Sequence, residues 1–213
     1  MRYSLLQKCL FLAFMLAGSF LPGCMTTTTS ATKFYVLNPL ASSASLMSET
    51  DHKGLLSLEV VSLRLPQYLE RPQIVTRSSG NQLELAEFHQ WGGNLRKNMM
   101  RVLAKNLSQI LGTPNIAISP YRPPTPPDFR IELEVMKFER DHDGQVRLST
   151  QWRLSRGKNQ STLATQITDL TSPTVHTGPD YEHTVSAMSA LIGELSQIIS
   201  QEILKNVHRS SEQ

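Results

Sequence analysis

Between Phe129 and Leu170 the chain alternates apolar and polar residues three times in succession, which constrains its fold more than any other stretch. Phe129, Ile131, Leu133 and Val135 alternate with Arg130, Glu132 and Glu134. Val146, Leu148, Thr150, Trp152 and Leu154 alternate with polar residues, and after a turn at Gly157 to Gln160 a third segment runs from Thr162 to Leu170. A period of two places one face of each segment against a core and leaves the other wet, the signature of strands. Asp141, His142, Asp143 and Gly144 join the first two segments. They superficially resemble the opening of a calcium loop but lack the third acidic ligand and the closing Glu. Asp-Gly between alternating runs is a hairpin signal, so the three segments are expected to form an antiparallel meander.

The upstream half mixes both periods. Lys33 to Leu37 reads as a first strand through Phe34, Tyr35 and Val36, and the Ser-rich stretch from Ala41 to Gly54 reads as a loop. Leu55 to Leu63 alternates through Leu56, Leu58 and Val60. Arg71 to Arg77 and Gln82 to Phe88 read as a hairpin about Ser78, Ser79, Gly80 and Asn81. The period then changes. Trp91, Leu95, Met99, Val102, Leu103, Leu107, Ile110 and Leu111 recur every three or four residues, with Arg96, Lys97, Arg101 and Lys105 on the other side. That spacing predicts an amphipathic helix, closed by Gly112 and Pro114. A short strand is expected at Asn115 to Ser119, then a stiff loop from Tyr121 to Pro127. A last helix is expected from Asp180 to about Val207, with Tyr181, Val185, Met188, Ile192, Leu195, Ile199 and Ile203 in one stripe after Pro179. Strands, helix, strands, helix predict an α+β domain: a mostly antiparallel sheet with two long amphipathic helices packed on one face.

The first residues carry a different message. Arg2 and Lys8 precede an uncharged apolar run from Cys9 to Ala17, the pattern of a signal peptide. Carried on through Phe20, the uncharged stretch is about a dozen residues, well short of the roughly 20 needed to span hydrocarbon. Leu21, Pro22, Gly23 and Cys24 then resemble the lipobox of bacterial lipoproteins, with Pro22 departing from the usual small residue. This predicts a signal peptide at residues 1–23, a lipidated Cys24 opening a polar tether over 24–32, and a single domain over 33–213. Cys9 leaves with the signal, so Cys24 is the one thiol of the mature chain and no internal disulfide forms. Several acyl chains on one residue anchor firmly where a single chain is marginal. Bacterial lipoproteins with Asp after the cysteine tend to stay on the inner membrane. Met25 stands there instead, so the resemblance implies the periplasmic face of the outer membrane.

Charge and motifs exclude several function classes. The signal takes two of the 21 basic residues and none of the 18 acidic ones, which leaves the mature chain near neutral, and no Lys or Arg cluster with interleaved aromatics marks a nucleic-acid binder. His52, His89, His142, His176, His183 and His208 have no metal-ligand spacing. No nucleophile elbow or phosphate-binding loop occurs. The expectation is a non-enzymatic protein with no catalytic residue, no metal and no cofactor beyond the lipid on Cys24.

The run Leu65, Pro66, Gln67, Tyr68, Leu69, Glu70, Arg71, Pro72, Gln73, Ile74, Val75, Thr76, Arg77 stands outside both periods. Two prolines bracket Tyr68 and Leu69 in a fixed non-helical loop. With Phe34 to Leu37 upstream and Trp91 with its helix downstream, this run resembles the PqiC family of ABC-type transport auxiliary lipoproteins, linked to MCE lipid transport. The resemblance implies an outer-membrane component that receives a periplasmic MCE-domain needle protein, supports envelope integrity and self-associates into a homo-oligomeric ring. It places partner contact at Leu65, Pro66, Tyr68, Leu69, Arg71 and Pro72. An equal alternative is that Tyr68 and Leu69 fold back onto the core and Arg71 pairs with a carboxylate. Two other readings compete: a lipopolysaccharide-assembly lipoprotein, which the Arg71-Pro72 run does not fit, and a periplasmic lipid-binding lipoprotein acting alone.

Overall fold

A computed structural model describes residues 31–41, 56–121, 123–173 and 180–211. The signal peptide, Cys24 and most of the tether lie outside the described residues, as do most of the expected Ser-rich loop and Pro179.

The expected meander is present. Strand β6 (Phe129–Arg140) pairs antiparallel with β7 (Val146–Arg156), and β7 with β8 (Thr162–Thr171). The alternating apolar residues face inward: Ile131, Phe138, Leu148, Trp152 and Leu154 are buried almost completely. The β6–β7 connection is a hairpin turn, with Gly144 at φ 82° where a side chain is rarely tolerated. The Asp141 amide donates to the Gln145 carbonyl at 2.7 Å.

Strands β2 (Leu58–Arg64), β3 (Gln73–Arg77) and β4 (Leu83–Trp91) complete the upstream half with two short edge strands, β1 (Lys33–Tyr35) and β5 (Ile116–Ile118). The expected hairpin of β3 and β4 forms. The sheet is mixed: the longest ladders are antiparallel, but β1 with β4, β2 with β5, β2 with β6, and β3 with β6 are parallel. Parallel partners are brought together by long connections, which alternation in one segment does not reveal. Strand β6 is the spine. Strand β7 lines one edge of it, while β2 and then β3 lie end to end along the other, with Leu58 opposite Phe129 and Thr76 opposite Arg140.

Helix α1 (Leu95–Leu111) starts at Asn94, whose side chain accepts from the Lys97 amide at 3.0 Å, and stops at Gly112 with φ 64°. Trp91 does not belong to its apolar stripe as expected. It is the last residue of β4, opposite Tyr35, because Gly92 and Gly93 break the strand before Asn94 caps the helix. Helix α2 (Tyr181–Ser211) begins after Asp180, whose carboxylate accepts from the His183 amide, and runs one turn beyond Val207. The two helices pack on each other and on the sheet, sharing one apolar cluster with it. Among the described residues no helix is long and apolar enough to cross a membrane.

After β1 the chain crosses the helix pair as an extended strap from Leu37 to Leu40. The Leu37 amide donates to Asn98 Oδ1 at 2.7 Å and the Leu40 amide to Asn106 Oδ1 at 2.8 Å, both on α1. On α2, Ser189 Oγ accepts from the Asn38 amide at 3.1 Å, and Ser196 Oγ accepts from Asn106 Nδ2 at 3.2 Å. Leu40 lies against Gly193, where a Cβ atom would come within 2.4 Å of its side chain.

Candidate functional site

The irregular run between β2 and β3 follows from its prolines. Pro66 extends the chain at φ −63° and ψ 146°, and a single 3-10 turn, Gln67–Leu69, closes with the Leu69 amide donating to the Pro66 carbonyl at 2.9 Å. Pro72 offers its carbonyl to the Trp91 amide at 2.7 Å, tying the end of the loop to the end of β4. The loop therefore bulges out between two strands that would otherwise run continuously along β6.

What fixes it is Glu139, a fully buried carboxylate near the end of β6. The Tyr68 hydroxyl donates to Glu139 Oε2 at 2.7 Å, and Arg77 of β3 donates through Nε to Oε1 at 3.0 Å, its second nitrogen lying at 2.9 Å. A buried charge persists only when paired and hydrogen bonded, and here both oxygens are engaged. Burial, reinforced by the bond to Glu139, pushes the Tyr68 hydroxyl well above its ordinary range. Burial would lower the Arg77 guanidinium, but the Glu139 carboxylate outweighs it and raises its pKa.

The six expected contact residues thus divide. Leu69 is buried and Tyr68 is half-buried on Glu139, whereas Arg71 and Pro72 are exposed and Leu65 and Pro66 are partly so. The buried carboxylate beside the loop, Glu139, pairs with Arg77 rather than with Arg71. Leu65, Arg71 and Pro72 line an open cleft of about 280 Å³ against the start of α1, together with Trp91, Leu95 and Arg96. The first turn of α1 has no acidic residue, so Arg71, Arg96 and Lys97 outnumber Glu70, the acidic residue that lines the cleft, and leave this end with a modest positive bias.

Sequence reasoning missed Glu139 itself. A bulge between Val135 and Lys137 shifts the alternation by one, bringing Phe138 into the core and leaving Glu139 out of phase with the residues that signalled the strand. It also missed an aromatic cluster beside β1. The Tyr35 hydroxyl lies 2.7 Å from His89 Nδ1, His89 stacks on Tyr181 at 4.1 Å, and the Arg140 guanidinium sits 5.8 Å over the Tyr181 ring. Burial, and then the nearby Lys33 ammonium, lower the His89 pKa, which favours the neutral ring.

Asp141, in the β6–β7 turn, uses its carboxylate within the hairpin. It accepts from Lys137 Nζ at 2.7 Å, from Arg147 Nε at 3.0 Å and from the His142 amide at 2.9 Å. Burial works to raise its pKa, but the bonds from Lys137 and His142 outweigh it and hold the group well below the usual carboxylate range. Among the described residues no three His, Cys, Asp or Glu side chains gather in a metal-binding arrangement.

No curated protein sequence matches this chain. Among the solved structures that share the fold are two similar over nearly their whole length. One, an uncharacterized protein, is 21% identical with a TM-score of 0.64, covering 81% of this chain and 99% of its own. The other, a Xanthomonas campestris protein of the DUF330 family, is 13% identical with a TM-score of 0.62, covering 86% of this chain and 98% of its own. The family described as the ABC-type transport auxiliary lipoprotein component matches residues 35–200, a span that runs from the end of β1 well into α2 and includes the Tyr68–Glu139–Arg77 network. The chain belongs to that family, the one its Leu65 to Arg77 run resembles.

Proposed function

We propose that the protein is acylated on Cys24, sits on the periplasmic face of the outer membrane, and serves an MCE-linked ABC-type lipid transport system as the component that receives the periplasmic needle protein. Its docking surface is the exposed half of the irregular loop, Leu65, Pro66, Arg71 and Pro72, with the cleft beside α1. The supporting observation is the loop's construction. A buried ion pair and a tyrosine fix the inner half, so the outer half is presented without the ordering cost of a flexible loop. Apolar side chains beside exposed arginines suit an interface centre. Self-association into a ring around the needle belongs to the same proposal.

A photo-crosslinking residue in place of Arg71 or Pro72 tests the docking surface in living cells. Crosslinking to the MCE-domain protein, identified by mass spectrometry, supports the reading. Crosslinks to that protein only from the far sheet edge, for instance from Ile167, would sink it. Density-gradient fractionation of the envelope, with intact mass of the purified chain, tests the membrane assignment and the acylation together.

A further inference from the structure

The strand nearest the tether and the residue after it carry an exposed apolar pair. Phe34 is 67% exposed and Val36, just past β1, is 52% exposed, and both side chains lie beside Gly92. Between them Tyr35 turns inward to His89, so the aromatic cluster fixes β1 on β4 and α2 and holds the pair outward. Phe34 and Val36 line an open groove of about 440 Å³ together with Leu40, Val185 and Glu182.

We infer that Phe34 and Val36 rest against the lipid surface that holds the anchor, so that β1 is a second membrane contact and sets the orientation of the domain. The inference rests on the lipid anchor proposed above. The nine residues from Cys24 to Thr32 span about 30 Å at most, so β1 never leaves the vicinity of the bilayer. A tether of that length gives the second contact an effective concentration on the order of millimolar, which lets a weak apolar contact contribute. Exposed Lys33 beside them suits the phosphates of anionic lipid. Glu182 and the serines in the groove disfavour burying an acyl chain inside it, which leaves contact through the exposed Phe34 and Val36 side chains. A second copy is a poorer occupant, because β1 offers an edge of only three residues.

Phe34→Trp reports the contact directly, since the native Trp91 and Trp152 are buried and provide the background. The processed chain is reconstituted in phosphatidylethanolamine and phosphatidylglycerol vesicles carrying brominated acyl chains. Where intact mass shows Cys24 without acyl groups, the anchor reading fails, and the free thiol is coupled to a maleimide lipid so that β1 is still presented at tether length. The expected result is loss of Phe34→Trp emission to bromine quenching, with no loss for Ile167→Trp on β8 at the opposite edge of the sheet. Emission from Phe34→Trp that stays unquenched on vesicle-bound protein overturns the inference, as does equal quenching at both positions. A signal that changes with protein density on the vesicle but not with brominated lipid assigns the pair to a second copy and also overturns it.

Discussion

The Leu65–Pro72 loop and the Leu37–Leu40 strap are both irregular segments laid on a regular core, but opposite chemistry fastens them. The loop is fastened through one buried charge, Glu139, which binds Tyr68 and Arg77, with Leu69 in the core and the Pro72 carbonyl on the Trp91 amide securing its end. The strap is fastened at several points by neutral amides and hydroxyls of both helices, each bonding a backbone group of the strap or the next side chain. A charge buried with its partners is stable as a set and strongly destabilising once broken, whereas neutral bonds each contribute about 0.5–1.5 kcal/mol and fail one at a time. The contrast suits a loop that must keep one shape and a strap that need only stay down.

The largest effect that would test this contrast is removal of the shared carboxylate. Glu139→Ala leaves Arg77 and Tyr68 without their shared acceptor and is expected to cost about 3 kcal/mol in urea unfolding, the low end for a broken buried pair because Arg77 is partly exposed and still bonds the Gly80 carbonyl. A loss below about 1 kcal/mol would show that the loop does not depend on the charge. Tyr68→Phe comes next, at about 1.5–3 kcal/mol for a bond to a charged acceptor. Its pH dependence sharpens the test. The folded-state pKa of Tyr68 lies above the ordinary value near 10, so its contribution is whole below pH 10 and declines as the unfolded chain ionises above it. The stability gap between wild type and Tyr68→Phe should therefore narrow from pH 8 to pH 11. A constant gap would contradict the assignment.

On the strap, Gly193→Ala pushes a methyl group into the Leu40 side chain, and with the helix-propensity gain of alanine set against it the net cost is expected to be about 1–2 kcal/mol. Hydrogen exchange should quicken at the amides of Leu37 and Leu40 and stay unchanged at Ile131. The smallest effect belongs to Asn98→Ala, about 1 kcal/mol, because Asn106 and Ser189 still hold the neighbouring residues. Equal and large losses for Asn98→Ala and Glu139→Ala would erase the distinction between the two segments.

The sequence showed most clearly what is local. Alternation through Phe129 to Leu170 and the stripe through Leu95 to Leu111 are written within single segments, and those elements stand where expected. The pairings that make the sheet mixed are not local: nothing in Leu58 to Arg64 names Phe129 to Glu134 as its parallel partner. Trp91 joined the helical stripe on paper because spacing alone does not weigh the two glycines after it. The candidate site was legible by its prolines, which marked the loop, but not by its fastening. Glu139 lies beyond a bulge that breaks the pattern by which buried and exposed residues are told apart.

The spine position of β6 has a consequence for the order of assembly. The meander closes through short turns and is able to form as soon as its own residues are available. Strand β2 emerges far earlier, yet Leu58 must wait for Ile116 and Phe129 before either edge is paired. Over that interval Leu58, Val60 and Leu63 remain an uncovered β-prone segment. The chain's exposure to aggregation, and its demand for a chaperone, should therefore concentrate at β2 and end when β6 arrives.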